Sequence, residues 1–187
     1  MHEVVQNVND GNTVERIGSQ LLRVRHEYRL ELGVENTRTD LRAPIGIFLR
    51  AITPDDVLNL AELMLDAYRD TIDYEGEGIA EAVAEVEGYF LRAAKHPAIA
   101  QHSLVLGFED SIACACLLEF WERRSVPFVG FVMCRSTNKR QGLATYALQE
   151  VIDNLKGAGC SELRTIITEG NTPSEALFAR AGFRRVD

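Results

Sequence analysis

A chain of 187 residues has the length of one ordinary domain, and 46% hydrophobic with 26% charged residues is the composition of a soluble globular protein with an adequate core. The formal net charge of −8 argues against a nucleic-acid partner, because neutralising phosphates requires a basic face. The N-terminus is polar and no apolar run reaches membrane-spanning length, so we expect a cytoplasmic protein without membrane association.

The cysteines and histidines do not form metal-binding patterns. Cys114 and Cys116 are two residues apart on a predicted strand, which is not zinc-knuckle spacing, and Cys134 and Cys160 stand alone. The four histidines are scattered along the chain. We therefore expect reduced, mostly buried thiols, as is usual in the cytoplasm, and no metal site.

The first 43 residues are predicted to form a helical extension and linker, and residues 44–187 the main domain. From Asn12 onward, apolar residues recur at spacings of three and four and predict one amphipathic helix: Val14, Ile17, Leu21, Val24 and Tyr28. Residues 33–43 have linker composition. The apolar stripe is expected to dock on the domain; the alternative is that it pairs two chains in a homodimer.

The main domain is predicted to alternate strands and helices. The predicted order is strand 45–52, helix from 54, helix 79–94, strands 103–108, 112–120 and 126–134, helix from 142, strand 163–168 and helix from 172. Thr53-Pro54 and Thr172-Pro173 each place an N-cap residue before a first-turn proline. Meandering strands followed by a strand–helix–strand crossover predict an α/β protein with a mixed sheet and helices on both faces.

The stretch 126–155 has the pattern of an anion-binding site. A buried strand, 126–134, is followed by a loop with three positive charges and then by a helix that Gly142 opens. A helix start presents unpaired backbone N–H groups and the positive end of the macrodipole, and glycine lets a phosphate approach closely. Lys139 and Arg140 would add charge. The alternative interpretation is a solvated basic turn before an ordinary helix.

Two motifs in this half of the chain resemble those of the GNAT superfamily of CoA-dependent N-acyltransferases. Residues 139–144, Lys-Arg-Gln-Gly-Leu-Ala, are similar to its pyrophosphate loop, with Lys139 in place of the usual Gln or Arg. Residues 171–183, from Asn171 to a final Gly-Phe, are similar to its later motif. The resemblance implies the GNAT fold and acetyl-CoA as co-substrate. Because the chain ends soon after Phe183, one C-terminal strand of the family's usual hairpin is expected to be missing or supplied otherwise.

The resemblance also assigns the residues of the site. The Val132 N–H would face the acyl carbonyl, and Met133 and Cys134 would lie beside pantetheine on the same strand. The pyrophosphate clasp is assigned to Lys139, Arg140, Gln141, Gly142, Leu143, Ala144 and Thr145. The final helix would border the cofactor with Asn171, Ser174 and Phe178.

Proton handling departs from the family pattern. The tyrosine that often protonates the thiolate in this family is Phe178 here, and Phe128 occupies the position of a glutamate base found in some members; neither ring can transfer a proton. Glu119, at the end of the preceding strand, is the first candidate base. Glu122, Glu169 and a base acting through water are the alternatives, and the simpler interpretation of each acid is an ordinary surface carboxylate.

These features together predict an N-acetyltransferase that moves an acetyl group from acetyl-CoA to a primary amine of a small molecule, peptide or protein by direct attack. The acidic loop 70–78 predicts a preference for cationic amines. The alternative from another functional class is a non-catalytic acyl-CoA-binding sensor of the same fold, which Phe128 and Phe178 would suit.

Overall fold

The computed structural model of the chain describes residues 12–15, 23–33 and 43–186. The strands in these ranges are β1 (Asn12–Glu15), β2 (Arg23–Glu31), β3 (Ile47–Ala51), β4 (Leu104–Phe108), β5 (Ser111–Trp121), β6 (Val126–Cys134), β7 (Glu162–Thr168) and β8 (Arg184–Arg185). The α-helices are α1 (Val57–Tyr68), α2 (Ile79–Ala93), α3 (Pro97–Ala100), α4 (Leu143–Gly157) and α5 (Thr172–Arg180). None of these described helices has both the length and the apolar character needed to cross a bilayer.

The described strands form one mixed sheet in the order β1-β2-β7-β6-β5-β4-β3, with β8 paired to β2. Neighbouring strands are antiparallel except β6 and β7, which are parallel and joined through α4. Successive residues of β5 point to opposite faces: Cys114 and Cys116 pack in the cluster that contains α4, Ala115 and Leu117 in the cluster that contains α1 and α2. The predicted mixed α/β fold with helices on both faces is therefore confirmed.

The N-terminal segment corrects the sequence prediction, because residues 12–15 and 23–31 of the predicted helix form the antiparallel strands β1 and β2. β2 pairs antiparallel with β7 over seven residues, from Arg25 opposite Thr168 to Glu31 opposite Glu162. Val24 and Tyr28 are four apart, a spacing that fits one face of a strand as well as one face of a helix. The segment forms a strand because the edge of β7 offers it backbone hydrogen-bond partners. Residues 16–22 of the predicted helix and most of the predicted linker lie outside the described residues.

β2 adds a strand to the described sheet beyond β7. It lies between β7 and the two-residue strand β8, antiparallel to both, so the sheet is completed from the N-terminal side of the chain. Glu27 fastens the strand in place: it is buried, its carboxylate contacts Arg164 on β7, and it accepts a hydrogen bond from Arg124 Nη2 at 2.9 Å. A buried carboxylate with two guanidinium partners is compensated on both oxygens.

The start of α1 is fixed by local hydrogen bonds. Asp56 Oδ2 accepts hydrogen bonds from Thr53 N at 2.8 Å and from Arg50 Nη1 at 2.7 Å, and Oδ1 accepts one from Arg50 Nη2 at 2.6 Å. The predicted start signal at Thr53-Pro54 is thus realised, with a short 3₁₀ turn over Pro54–Asp56 before the helix. α1 is held in this way over the face of the sheet where the site lies.

Candidate active site

The central strands β6 and β7 diverge, and a cleft opens between them. Their described pairing is limited to Phe128 opposite Arg164, and just beyond it Thr165 Oγ1 donates a hydrogen bond to Val129 O at 3.0 Å. From there the strands separate around a cleft of about 640 Å³, a volume typical of small-molecule sites. Residues of α1, the α1–α2 loop, α2 and α5 complete its walls.

A β-bulge in β6 lies where the two strands begin to separate. Leu117 pairs with Phe131 but Leu118 pairs with Val129, so Gly130 is the extra residue. A Cβ atom on Gly130 would stand 2.8 Å from Glu119 Oε1, too close for a real contact. Glycine at the bulge therefore makes room for the Glu119 carboxylate beside the exposed edge of β6.

The backbone direction of β6 beyond the bulge follows from one hydrogen bond. Arg135 N donates to Ala113 O of the β5 side at 2.8 Å, and peptide groups alternate along a strand. The backbone groups of Val132 and Cys134 consequently point away from β5, toward the divergence. The backbone groups of Met133 face β5 instead, and its side chain is fully buried.

The basic loop ends at an open helix N-terminus. Gly142 has φ +82°, no side chain caps α4, and the first turn closes with Tyr146 N donating to Gly142 O at 2.9 Å. The N–H groups of Leu143, Ala144 and Thr145 precede that bond and have no intrahelical acceptor. An added Cβ at Gly142 would meet nothing within 4 Å, so the space beside this glycine is open.

The loop is anchored to the end of α1. Lys139 Nζ donates to Ala67 O at 3.0 Å, while Asp66 accepts hydrogen bonds from Ser136 N at 2.5 Å and Ser136 Oγ at 2.9 Å. Lys139 thus has a structural contact in addition to its charge. Arg140 is exposed.

The α5 side of the cleft is tied to the α1–α2 loop through Asp73. Its carboxylate accepts hydrogen bonds from Thr168 Oγ1 and from Asn171 Nδ2, both at 2.6 Å. Asn171 Oδ1 in turn accepts from Ser174 N at 3.2 Å and caps α5. Asn171 and Ser174 both line the cleft, but both polar atoms of the Asn171 amide are already bonded within the protein.

Phe178 lies on the α5 wall of the same cleft. Its side chain is only 4% exposed, and its ring meets Phe183 edge-on with a centroid separation of 5.0 Å. It is therefore a packed element of the core with one side toward the cleft.

Of the three candidate bases, only Glu119 lines the cleft. Arg92 Nε and Nη2 donate to its two carboxylate oxygens at 2.7 and 3.2 Å. The side chains of Glu122 and Glu169 are 72% and 62% exposed, and neither belongs to the cleft wall. Exposure on the surface is the physical reason to set these two aside.

The cleft is acidic. Five carboxylates line it, against two guanidinium groups: Asp73, Glu77, Glu81, Glu85 and Glu119 against Arg25 and Arg92. Sequence reasoning found Asp73 and Glu77 in the α1–α2 loop, but missed Glu81, Glu85 and Arg92 on α2. The four-residue spacing of Glu81 and Glu85 places them on one helical face, a signal that was available. Arg25 could not be found, because its segment was predicted to be helical.

Cys134, beside the basic loop, has an altered acidity. A hydrogen bond from the Cys114 thiol across the β5–β6 pair lowers the pKa of Cys134, and the charge of Lys139 lowers it further. The same pairing and burial raise the pKa of Cys114. All four cysteines are free thiols.

Comparisons with known proteins agree with this geometry. The model of the acetyltransferase (GNAT) family matches residues 62–183. A search of curated proteins finds no match.

Several solved structures share the fold. A GCN5-related N-acetyltransferase from Sphaerobacter thermophilus superposes with a TM-score of 0.64 at 20% identity, over 88% of this chain and 49% of that one. The PaiA N-acetyltransferase from Thermoplasma acidophilum, solved in complex with coenzyme A, has a TM-score of 0.60 at 15% identity, over 74% of this chain and 89% of that one. The ribosomal-protein-S18-alanine N-acetyltransferase from Escherichia coli has a TM-score of 0.56 at 13% identity, over 75% and 79%. The chain spans about half the length of the first of these relatives.

Proposed function

Because the chain belongs to the GNAT acetyltransferase family, we propose that it transfers an acetyl group from acetyl-CoA to a primary amine by direct attack of the amine. The observation that carries the proposal is the combination of two features in one place. Strands β6 and β7 diverge and expose strand-edge backbone groups, and the same β6 leads directly into an uncapped, glycine-led helix N-terminus. The first suits an extended thioester arm, the second a pyrophosphate.

The residues present fit coenzyme A. The open space in front of Gly142 leaves room for a phosphate at the N–H groups of Leu143, Ala144 and Thr145. Arg140 adds a charge that can bind a phosphate in bidentate fashion. The backbone groups of Val132 and Cys134 point away from β5 and suit the amide and carbonyl groups of a pantetheine arm. The complex of the Thermoplasma relative with coenzyme A supports the same type of co-substrate.

The chemistry requires stabilisation of the carbonyl oxygen and removal of a proton from the amine. The Val132 N–H is the donor suited to the oxygen as negative charge develops on it. Glu119, at the bulge, is the carboxylate suited to accept the amine proton, directly or through water, while Arg92 holds its orientation.

The acidic lining favours a cationic acceptor. Five carboxylates against two guanidinium groups leave an excess of negative charge around the cleft, which raises the local concentration of amines that carry a second positive charge. Glu77 and Glu81, on the α1–α2 loop side, are the carboxylates suited to that second charge. A linear diamine should accordingly be a better acceptor than the monoamine of equal length at low salt.

An acyl-CoA sensor is the second candidate. Phe128 and Phe178 line the cleft where some relatives in the family are expected to carry proton-transferring side chains, and neither ring can act as acid or base. A protein that binds acyl-CoA without turnover would have the same cofactor groove.

Calorimetry and an acceptor panel separate the candidates. Arg140→Ala should weaken CoA binding about tenfold, the effect of losing one charge-assisted hydrogen bond, whereas Lys156→Ala, at the other end of α4, should not. Release of CoA thiol from acetyl-CoA in the presence of diamines supports the transferase. Tight acetyl-CoA binding without thiol release for any amine or peptide supports the sensor. Equal CoA affinity for wild type and Arg140→Ala contradicts the binding mode itself.

A further inference from the structure

Two cysteines lie opposite each other on β5 and β6, directly before the basic loop. Cys114 is the register partner of Cys134, and Arg135 N donates a hydrogen bond to Ala113 O at 2.8 Å. Because that bond joins the residue after Cys134 to the residue before Cys114, the two cysteines form a non-hydrogen-bonded pair. The Cα atoms of such a pair are about 4.5 Å apart, a separation that a disulfide can bridge, and both side chains lie on the same face of the sheet.

The two thiols differ in burial and in acidity. Cys114 is fully buried, whereas Cys134 is half-buried at the end of β6. The hydrogen bond from Cys114 lowers the pKa of Cys134, and the charge of Lys139 lowers it further, against the opposing effects of burial and Asp66. Since the thiolate is the reactive form, we expect Cys134 to react first with an oxidant and Cys114 to serve as its resolving thiol.

The other two cysteines have neither the register nor the acidity for this chemistry. Cys116 lies opposite Val132, and burial raises the pKa of its thiol to about 12. Cys160 lies between α4 and β7, and burial raises its pKa as well. A disulfide within this chain should therefore form at one position.

The Cys134 thiol also holds the basic loop. Its Sγ donates a hydrogen bond to Asn138 O at 3.4 Å. Asn138 ends the short 3₁₀ turn Ser136–Asn138, and Lys139 and Arg140 follow directly. Because a disulfide has no S–H group, its formation removes this donor from the turn that precedes the two basic residues.

We propose that Cys114 and Cys134 are a reversible redox pair, which hydrogen peroxide oxidises to a disulfide that releases the Asn138 carbonyl and weakens CoA binding. The effect on CoA rests on the proposed function. The Cys134 thiolate attacks one peroxide oxygen, the O–O bond breaks, and the departing hydroxide takes up the proton that Cys134 has lost. The sulfur of Cys114 then attacks the Cys134 sulfenic acid, the S–O bond breaks, and the oxygen leaves as water with the Cys114 proton. The two thiols lose two electrons and the peroxide gains them.

The first test counts thiols in the folded protein before and after treatment with a small excess of hydrogen peroxide. The protein is then unfolded in an alkylating agent, weighed and digested. Wild type should lose two of its four alkylatable thiols and two hydrogen atoms of mass, and the peptides that contain residues 114 and 134 should be linked. Cys116→Ala, the matched change on the same face of β5, should form the same disulfide, and Cys114→Ala should form none.

Calorimetry with desulfo-CoA provides the second measurement, because this analogue has no thiol that could exchange with the disulfide. Oxidised wild type and oxidised Cys116→Ala should each bind it about threefold to tenfold more weakly than the reduced protein, the effect of one lost hydrogen bond. Dithiothreitol should restore the affinity by thiol–disulfide exchange.

Four free thiols in peroxide-treated wild type, or a disulfide that includes Cys116 or Cys160, overturns the pairing. A disulfide between Cys114 and Cys134 that leaves the affinity for desulfo-CoA within about twofold of the reduced value overturns the switch. That result leaves the proposed function intact, because the protein binds the cofactor. Absence of binding by reduced wild type contradicts the proposed function and the switch with it.

Discussion

Gly142 is the residue on which the cofactor interpretation rests most heavily, since it combines φ +82° with open space beside its Cα at the start of α4. Gly142→Ala should cost about 1–2 kcal/mol in the free energy of unfolding, the penalty of a left-handed alanine, and should also weaken CoA binding. Gly159→Ala is the matched control, because Gly159 has φ +78°, equally open surroundings, and lies just past the other end of α4. Urea unfolding and calorimetry measure the two effects. An equal change in CoA affinity for both variants would contradict the assignment of the loop.

Glu119 is the other decisive residue. Glu119→Gln keeps the shape of the side chain but removes its basicity, so we expect the rate constant for acetyl transfer to fall by about 10²-fold to 10⁴-fold with little change in CoA affinity. Glu122→Gln is the control, because Glu122 is an exposed carboxylate that lies shortly after Glu119 in the chain. This variant should retain the wild-type rate. A rate for Glu119→Gln near that of wild type would show that the amine proton leaves by another route.

Some of these residues could be predicted from the sequence. Others could not, because their contacts join residues that are far apart in the chain. The glycine-led loop and Phe178 could be predicted because each belongs to a contiguous motif. The pairing of Arg92 with Glu119 joins residues 27 apart on α2 and β5, and nothing local marks it. The same holds for Asp73, whose partners Thr168 and Asn171 lie 95 and 98 residues away along the chain.

At the scale of single elements, the start of α1 offers a pH-dependent prediction. The hydrogen bonds from Arg50 hold the pKa of Asp56 below its ordinary value, so this carboxylate stabilises the folded state above its unfolded pKa. That stabilisation is lost as the pH falls through the lowered, folded-state pKa. Asp56→Asn should cost about 1–3 kcal/mol at neutral pH, and the difference from wild type should narrow as the pH falls through the lowered pKa of Asp56.

Urea unfolding at several pH values measures this effect. Asp55→Asn is the control, since Asp55 is the exposed neighbour in the same turn, and it should change stability little at any pH. A difference between wild type and Asp56→Asn that stays constant from neutral to acid pH would mean that the carboxylate charge does not stabilise the α1 start.

Elements were predicted correctly where local sequence signals are strong. They were predicted wrongly where pairing with a distant strand determines the secondary structure. The strand Val126–Cys134 has the predicted bounds, and the predicted Thr53-Pro54 signal precedes α1. At α5 the predicted N-cap, Thr172, is already the first helical residue, because the Asn171 side chain accepts the hydrogen bond from Ser174 N. β2 was predicted to be helical because spacings of four residues suit both structures. Its strand conformation is set by β7, more than 130 residues later in the chain, and no window of sequence contains that information.

In the molecule as a whole, β2 pairs with β7, and residues of β7 line the cleft. Leu30 is 2% exposed and packs in the cluster that contains Leu163 and Phe183, whereas Arg29 beside it points outward. Leu30→Ala should cost about 2–5 kcal/mol, the usual loss for a buried leucine. Arg29→Ala should stay within about 0.5 kcal/mol of wild type. Equal, small losses in urea unfolding would contradict an integral role for β2.

The family and the mixed α/β fold, both predicted from sequence, are confirmed. The domain boundary at residue 43, the dimer alternative and the cationic acceptor stay predictions. The central claim for the molecule is that one cleft binds acetyl-CoA and passes its acetyl group to an amine, although Phe128 and Phe178 replace side chains that could transfer protons.

Single-turnover transfer of label tests that claim most directly. Protein in excess over acetyl-labelled acetyl-CoA is mixed with a linear diamine at low salt, and the diamine and the CoA are separated and counted over time. The account predicts that the label moves to the diamine while CoA thiol appears in equal amount, at a rate far above that of the mixture without protein. Label that stays on CoA throughout, in protein that binds acetyl-CoA and with every amine offered, would contradict it.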